Sequence, residues 1–202
     1  MDLFASPTEG EPIELADAQL VFFRQIILPY SHTELLTALI AQVPWVEEAI
    51  ILYGKRCIQP RLIAWYGDAG MNYRYSGVTH RPLAWTPLLL SIKSVLQTLC
   101  GHEFNSALVN YYRNERDSMG MHSDDEAELG AQPVIASLSL GAERTFILQH
   151  KSSGARYKLA LPGGSVLVMK GDTQHYWRHG INKEHFPCDP RINITFRRII
   201  PL

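Results

Sequence analysis

The sequence predicts an α+β fold: a double-stranded β-helix, or jelly roll, with N-terminal helices packed on it. Three observations carry this. Two helical patterns stand in the first half of the chain. Six short strand patterns follow, divided by Gly, Pro and polar turns. The length of 202 residues, with 46% hydrophobic residues, suffices for one domain with a full core.

The elements justify themselves in order. Residues 1–12 are polar, with Pro7, Gly10 and Pro12, and read as a flexible arm ahead of a single domain over 13–202. Leu20-Val21-Phe22-Phe23 reads as a short strand. Ser31-His32-Thr33-Glu34 is a capping box, in which the Ser hydroxyl and Glu carboxylate each satisfy an orphan amide. Leu35, Leu36, Leu39, Ile40 and Val43 follow at helical spacing, so a helix spans about 32–43. Thr86-Pro87 opens a second helix, which buries Leu89, Ile92, Val95, Leu96 and Leu99 and stops near Gly101. After it, 105–113, 134–140, 144–150, 155–161, 164–169 and 191–199 read as strands.

Composition excludes several classes. Lys and Arg number 19 against 20 Asp and Glu, a net charge of -1, so any nucleic-acid binding needs a local patch. Cys57, Cys100 and Cys188 form no Cys-x-x-Cys pair, which argues against a disulfide scaffold or thiolate zinc site and for a reducing compartment. Met1-Asp2-Leu3-Phe4 has no basic leader pattern, and no apolar run reaches the roughly 18 residues of a membrane span. The expected location is intracellular, cytoplasmic or nuclear, with no membrane partner. In that setting the sequon Asn193-Ile194-Thr195 carries no meaning.

Chemistry enters with Met119-Gly120-Met121-His122-Ser123-Asp124-Asp125-Glu126. On a strand, His122 and Asp124 project to one face, side by side. An acidic surface turn is the plain alternative. A third ligand has to come from downstream, where His175, His179 and His185 are candidates. Two neutral imidazoles and one carboxylate form a facial triad, which binds Fe(II) and leaves positions open.

The second string is Arg191-Ile192-Asn193-Ile194-Thr195-Phe196-Arg197. As a strand it turns Ile192, Ile194 and Phe196 to one side and Arg191, Asn193, Thr195 and Arg197 to the other. Two guanidiniums inside a barrel need acid partners, and a diacid ligand supplies them. A solvent-facing edge strand explains this segment equally well.

Together these strings resemble the AlkB family of Fe(II)/2-oxoglutarate-dependent dioxygenases, most closely the branch of the eukaryotic second and third homologues. The pieces stand in family order: Pro60-Arg61, Tyr66-Gly67-Asp68, Tyr73-Arg74-Tyr75-Ser76-Gly77, Asn110-Tyr111-Tyr112, His122 to Glu126, Ser137-Leu138-Ser139-Leu140-Gly141, His179-Gly180-Ile181 and Arg191 to Arg197. They cover about residues 50–200.

The resemblance implies roles. It selects His179 as the third iron ligand beside His122 and Asp124, leaving His175 in a loop and His185 on the surface. It implies that Arg191 meets the distal carboxylate of 2-oxoglutarate, that Arg197 lies near the carboxylate that chelates iron, and that Asn110, Tyr112, Asn193 and Thr195 form the polar shell around this cosubstrate. Asp125 and Glu126 match an acidic pair that positions the methylated base. Tyr73 and Tyr75 match pocket-lining residues, with Tyr75 and His122 sandwiching the base. Tyr53-Gly54-Lys55 matches a finger hairpin, whose Tyr53 fills the space left by a flipped base. Beside the resemblance, the charges of Lys55, Arg56 and Arg61 suit phosphate contact, and Lys151, Arg156 and Lys158 form a second basic strip for which plain solvated charge is the stronger reading.

The resemblance divides the domain into a nucleotide-recognition and helical part, 13–104, and a jelly-roll catalytic core, 105–202. The implied activity is oxidative demethylation of 1-methyladenine and 3-methylcytosine in DNA by Fe(II), 2-oxoglutarate and O2, with release of formaldehyde, succinate and CO2. The implied partner is methylated DNA, single- or double-stranded, with RNA as the competing polymer, and the chain works as a monomer. The rival readings are a 2-oxoglutarate dioxygenase that acts on RNA or another methylated substrate, and a catalytically silent module that holds a modified base.

Overall fold

The structure, a computed structural model, describes residues 9–52, 55–71, 73–75 and 78–200. In chain order it runs β1 (Glu11–Ile13), β2 (Gln19–Phe23), α1 (His32–Gln42), β3 (Val46–Leu52), β4 (Lys55–Gly67), β5 (Tyr73–Tyr75), β6 (Val78–His80) and α2 (Pro87–Cys100). The second half runs β7 (Ser106–Tyr112), β8 (Met119–His122), a 3-10 turn (Ala127–Leu129), β9 (Ile135–Gly141), β10 (Arg144–His150), β11 (Arg156–Leu161), β12 (Val166–Lys170), α3 (Thr173–Tyr176), β13 (Trp177–Ile181) and β14 (Arg191–Arg197).

Local chemistry sets the helix ends. Ser31 caps α1 through its hydroxyl and Glu34 reaches back to the Ser31 amide, closing the capping box. Thr86 caps α2, Pro87 occupies its first turn, and Gly101 ends it in the left-handed region at φ 59°. The apolar stripes of α1 and α2 bury Leu35, Leu39, Leu89, Ile92 and Leu96. These pack on one face of a sheet with strand order β1-β2-β12-β9-β14-β7-β4-β3. A smaller sheet, β11-β10-β13-β8, faces the opposite side. This is the expected jelly roll with helices on its outer face.

Strand β14 lies between β9 and β7. The edge-strand alternative for it therefore falls away. Ile192, Ile194 and Phe196 enter the helix-side core. Arg191, Asn193, Thr195 and Arg197 line the space between the sheets. A second apolar cluster that includes Tyr112, Phe146, Leu148, Leu167, Trp177 and Ile181 fills the rest of that layer.

The structure departs from the sequence expectations in several places. Glu11 and Pro12 belong to β1, not to the arm; Pro12 is tolerated because β1 is an edge strand, where a missing N–H breaks no ladder. Residues 1–8 lie outside the described residues. The jelly-roll sheet also draws strands from before residue 105, since β2, β3 and β4 join the same sheet as β7, β9, β12 and β14. Strand β4, 13 residues long, was not expected, since Pro60 and Arg61 interrupt its pattern. His175 stands in α3 instead of a loop.

Candidate metal and cosubstrate site

The short strands β8 and β13 bring the candidate ligands together. His122 is the last residue of β8 and pairs in register with His179 of β13. A side chain at Gly180 would meet the Met119 carbonyl at 2.8 Å. Glycine there lets β8 approach β13, and so lets the two imidazoles face each other, with ring centroids 4.3 Å apart. Asp124 lies beyond the end of β8, so the period-2 argument does not place it; the irregular segment between β8 and the 3-10 turn does. The result is still a cluster. His122 Nε2 is 3.8 Å from Asp124 Oδ1, and His179 Nε2 is 3.9 Å from Asp124 Oδ2. One donor atom from each of the three residues lies within 4.8 Å of the others.

The donor set is prepared for a divalent metal. The Gly120 carbonyl lies 2.9 Å from His122 Nδ1 and can only accept, so Nδ1 carries the proton and Nε2 keeps its lone pair. Asp124 Oδ2 is buried and makes no hydrogen bond. Burial pushes the Asp124 carboxyl up, but Arg197, His179 and His122 outweigh it and hold it down at about 2. Burial, reinforced by neighbouring positive charge, lowers His179 to about 3, against 6.5 ordinarily. Burial likewise lowers His122. At neutral pH the site therefore presents one carboxylate and two neutral imidazoles.

A stability prediction follows from His179. Its folded pKa of about 3 lies below the ordinary 6.5, so in that window the unfolded chain binds a proton the native chain lacks. Stability then rises with pH, by up to about 1.4 kcal/mol per unit for this imidazole. The urea midpoint of metal-free protein is expected to fall from pH 7 to 5. A flat midpoint would show that His179 is not held neutral by burial.

Beside the triad, one pocket between the sheets is lined by Asn110, Tyr112, His122, Asp124, His179, Arg191, Asn193, Thr195 and Arg197, among others. The two arginines differ. Arg197 Nη2 donates to Asp124 Oδ1 at 2.8 Å, so it already meets a carboxylate. Arg191 is 1% exposed; its Nη2 donates to Ser139 Oγ at 2.9 Å, while Nε and Nη1 make no hydrogen bond. Its guanidinium lies 5.0 Å from the Tyr112 ring centre. Among the described residues it has no carboxylate, so the pocket holds a buried cation that an external acid would pair.

The polar shell also divides. Arg61 Nε donates to Asn110 Oδ1 at 2.8 Å, leaving the Asn110 amide nitrogen as its remaining donor. Arg61 is thus buried against β7 and is not available as a surface phosphate contact, as the sequence had suggested. Asn193 spends its nitrogen on Ser137 Oγ and the Leu138 carbonyl, and its oxygen accepts from Thr195 Oγ1. It braces the pocket wall. Asp125 pairs with Lys151 at 3.1 Å, and Glu126 is half-buried at the start of the 3-10 turn. Arg56, Arg156 and Lys158 are exposed.

Tyr53 lies outside the described residues; for Lys55, Tyr73 and Tyr75 only the backbone is described, in β4 and the β5–β6 hairpin. Ser139, Arg144 and Gln174 were missed by sequence reasoning. Ser139 had a signal, since Ser137 and Ser139 alternate with Ala136, Leu138 and Leu140. Arg144, 1% exposed, donates to Glu184 and to the carbonyls of Asp117 and Asn182, and no pattern announced it.

A two-histidine, one-carboxylate cluster, with Asp124 and His179 buried and His122 half-buried, beside a cationic pocket in a jelly roll, defines a facial-triad oxygenase type of site. The comparisons agree. The 2OG-Fe(II) oxygenase superfamily pattern matches residues 19–197. Human "Alpha-ketoglutarate-dependent dioxygenase alkB homolog 3" is 42% identical over 177 residues, 83% of this chain and 61% of that protein. Arabidopsis thaliana "DNA oxidative demethylase ALKBH2" is 32% identical over 216 residues, 93% of this chain and 69% of that protein. The solved structure entitled "The structure of OsALKBH1" superposes with a TM-score of 0.62 at 17% identity, over 89% of this chain and 97% of that one, which speaks for the fold alone. The chain belongs to the 2OG-Fe(II) oxygenase superfamily and, within it, to the AlkB family on the branch of the second and third homologues. It spans 58–61% of the length of the curated alkB homolog 3 proteins that it matches. Among the described residues no helix is long and apolar enough to cross a membrane.

Proposed function

We propose that this chain oxidatively demethylates N-alkylated bases in DNA, with 1-methyladenine and 3-methylcytosine as substrates, and so serves repair of alkylation damage. The observation that carries the reading is one pocket holding both the His122–Asp124–His179 cluster and a buried Arg191 that pairs with no carboxylate among the described residues. A metal with open positions and a diacid satisfy the two halves of that pocket at once.

His122, Asp124 and His179 would hold Fe(II). Arg191 would take the distal carboxylate of 2-oxoglutarate through its free nitrogens, with Tyr112 behind it. Asn110 would donate to the same molecule, and Thr195 and Asn193 would shape its wall. Arg197 holds Asp124 in place and keeps it ionised. When Fe(II), 2-oxoglutarate and O2 are bound, the chemistry they supply is hydroxylation of the N-methyl carbon, with 2-oxoglutarate leaving as succinate and CO2 and the hydroxymethyl amine breaking down to formaldehyde and the repaired base. The chain's own task is to exclude other C–H bonds and hold that carbon in reach.

The base would enter from the side of Asp125, Glu126 and the β5–β6 hairpin, where a carboxylate accepts from the exocyclic amine that adenine and cytosine share. Methylation on the pairing edge weakens the pair and lowers the cost of flipping. Tyr53 and Lys55 would serve as finger and phosphate contact. The reading includes an intracellular monomer acting on single- or double-stranded DNA. Names of the relatives, "DNA oxidative demethylase" among them, support the substrate class.

The test is mass spectrometry of a 3-methylcytosine oligonucleotide, offered as single-stranded DNA, duplex DNA and RNA with Fe(II) and 2-oxoglutarate. Loss of one CH2 from DNA with matching succinate is the expected result. Succinate and demethylation from RNA alone would replace the substrate. No demethylation from any of the three, in protein that binds metal and 2-oxoglutarate, would favour the silent binding module.

A further inference from the structure

Asp124 is buried, 3% exposed, yet it stands past the end of β8, where no neighbouring strand takes its amide. That amide donates instead to Oε1 of Gln174, at 2.9 Å. Gln174 is 2% exposed and sits on α3. An N–H requires an acceptor, so the amide orientation is fixed: Oε1 faces Asp124, and Nε2 lies 3.5 Å from Met169 Sδ.

The turn that carries Gln174 is anchored on its far side. Thr173 Oγ1 donates to the Lys170 carbonyl at 2.6 Å and accepts from the Gln19 amide at 2.9 Å. Residues flanking Asp124 are tied to the same turn. Ser123 Oγ donates to the Trp177 carbonyl at 2.9 Å. Lys151 Nζ donates to the Gln174 carbonyl at 2.9 Å and to Asp125 Oδ2 at 3.1 Å. Trp177 opens β13, which carries His179 two residues on.

We propose that Gln174 is a positioning residue, which locks the Asp124 segment against α3 and β13 so that the three metal-donor atoms are set before a cation arrives. This rests on the metal reading of His122, Asp124 and His179. A strand holds its side chains through its ladder; the ladder of β8 ends one ligand too early. Gln174 replaces the missing strand partner for Asp124, while Arg197 fixes the carboxylate. Backbone and side chain of one ligand are thus held from two separate elements, α3 and β14. Without the Gln174 oxygen, the buried amide must turn toward another acceptor and carries the carboxylate with it.

Mn(II) serves as the probe, its binding to metal-free protein followed by the paramagnetic resonance of the free ion. Gln174→Met keeps side-chain length and loses the acceptor, and is expected to weaken Mn(II) binding about 10–100-fold, the range for loss of a group that orients a ligand. Gln174→Glu keeps an oxygen at the same reach and is expected to retain most of the affinity. Melting of the metal-free variants checks that each is folded. A parent that binds no Mn(II) would overturn the metal reading. A parent that binds, with an equally tight Gln174→Met variant, would overturn this proposal alone. Equal losses in folded Met and Glu variants would do so too, since packing and not the acceptor would then matter. If Gln174→Met does not fold, Gln174→Asn takes its place, an amide one methylene too short; parental affinity there overturns the proposal.

Discussion

Alanine at His122, Asp124 or His179 is expected to abolish demethylation, while His175→Ala leaves it within a small factor of the parent. A facial set reduced to two donors no longer fixes the open positions of a metal. His175 is exposed on α3, its ring edge-on to Tyr176, and belongs to no metal-binding cluster among the described residues. The three losses should differ in stability. Asp124→Ala removes the carboxylate that Arg197 Nη2 meets at 2.8 Å inside the pocket, so of the three it is expected to lower the melting temperature most. His179→Ala removes a buried neutral ring and no charge partner that it needs. Turnover, Mn(II) binding and melting measured together separate the effects. Loss of metal binding in His175→Ala with retention in His179→Ala would reverse the ligand assignment.

Much of this site was legible because strands write their faces into the sequence. Arg191, Asn193, Thr195 and Arg197 alternate with Ile192, Ile194 and Phe196, and a buried central strand turns one set to the helices and the other to the pocket. Capping chemistry at Ser31–Glu34 and Thr86–Pro87 likewise fixed two helix starts. What was not legible depends on contacts between distant segments. Nothing around Asp124 says that β8 stops at His122, or that a glutamine fifty residues away takes its amide. Arg61 looks like a surface cation in sequence, and only the pairing of β4 with β7 brings it to Asn110. Strand β4 itself was hidden because its proline and charges break the alternation by which strands are recognised.

The cosubstrate reading makes its strongest demand on Arg191. Every other charged group lining the pocket has a partner in the protein or belongs to the metal cluster: Arg197 holds Asp124, and Asp124 sits between the two imidazoles. Arg191 is fully buried, its polar neighbours are Ser139 and Tyr112, and among the described residues no carboxylate pairs with it. A diacid that reaches the metal at one end and Arg191 at the other would complete it. Arg191→Ala then leaves the distal carboxylate buried without its cation, a loss of about 2–5 kcal/mol. At about 1.4 kcal/mol per decade, apparent KM for 2-oxoglutarate should rise roughly 30-fold or more. Arg191→Lys should recover only part of this, because an ammonium supplies the charge without the planar fork. KM for the methylated oligonucleotide should stay near the parental value, since the proposed reading assigns the base to Asp125 and Glu126 and not to Arg191. Titration of each substrate against the other at saturation makes the separation. Parental affinity for 2-oxoglutarate in folded Arg191→Ala would remove Arg191 from this role, and equal rises in both KM values would place it in the general architecture of the pocket.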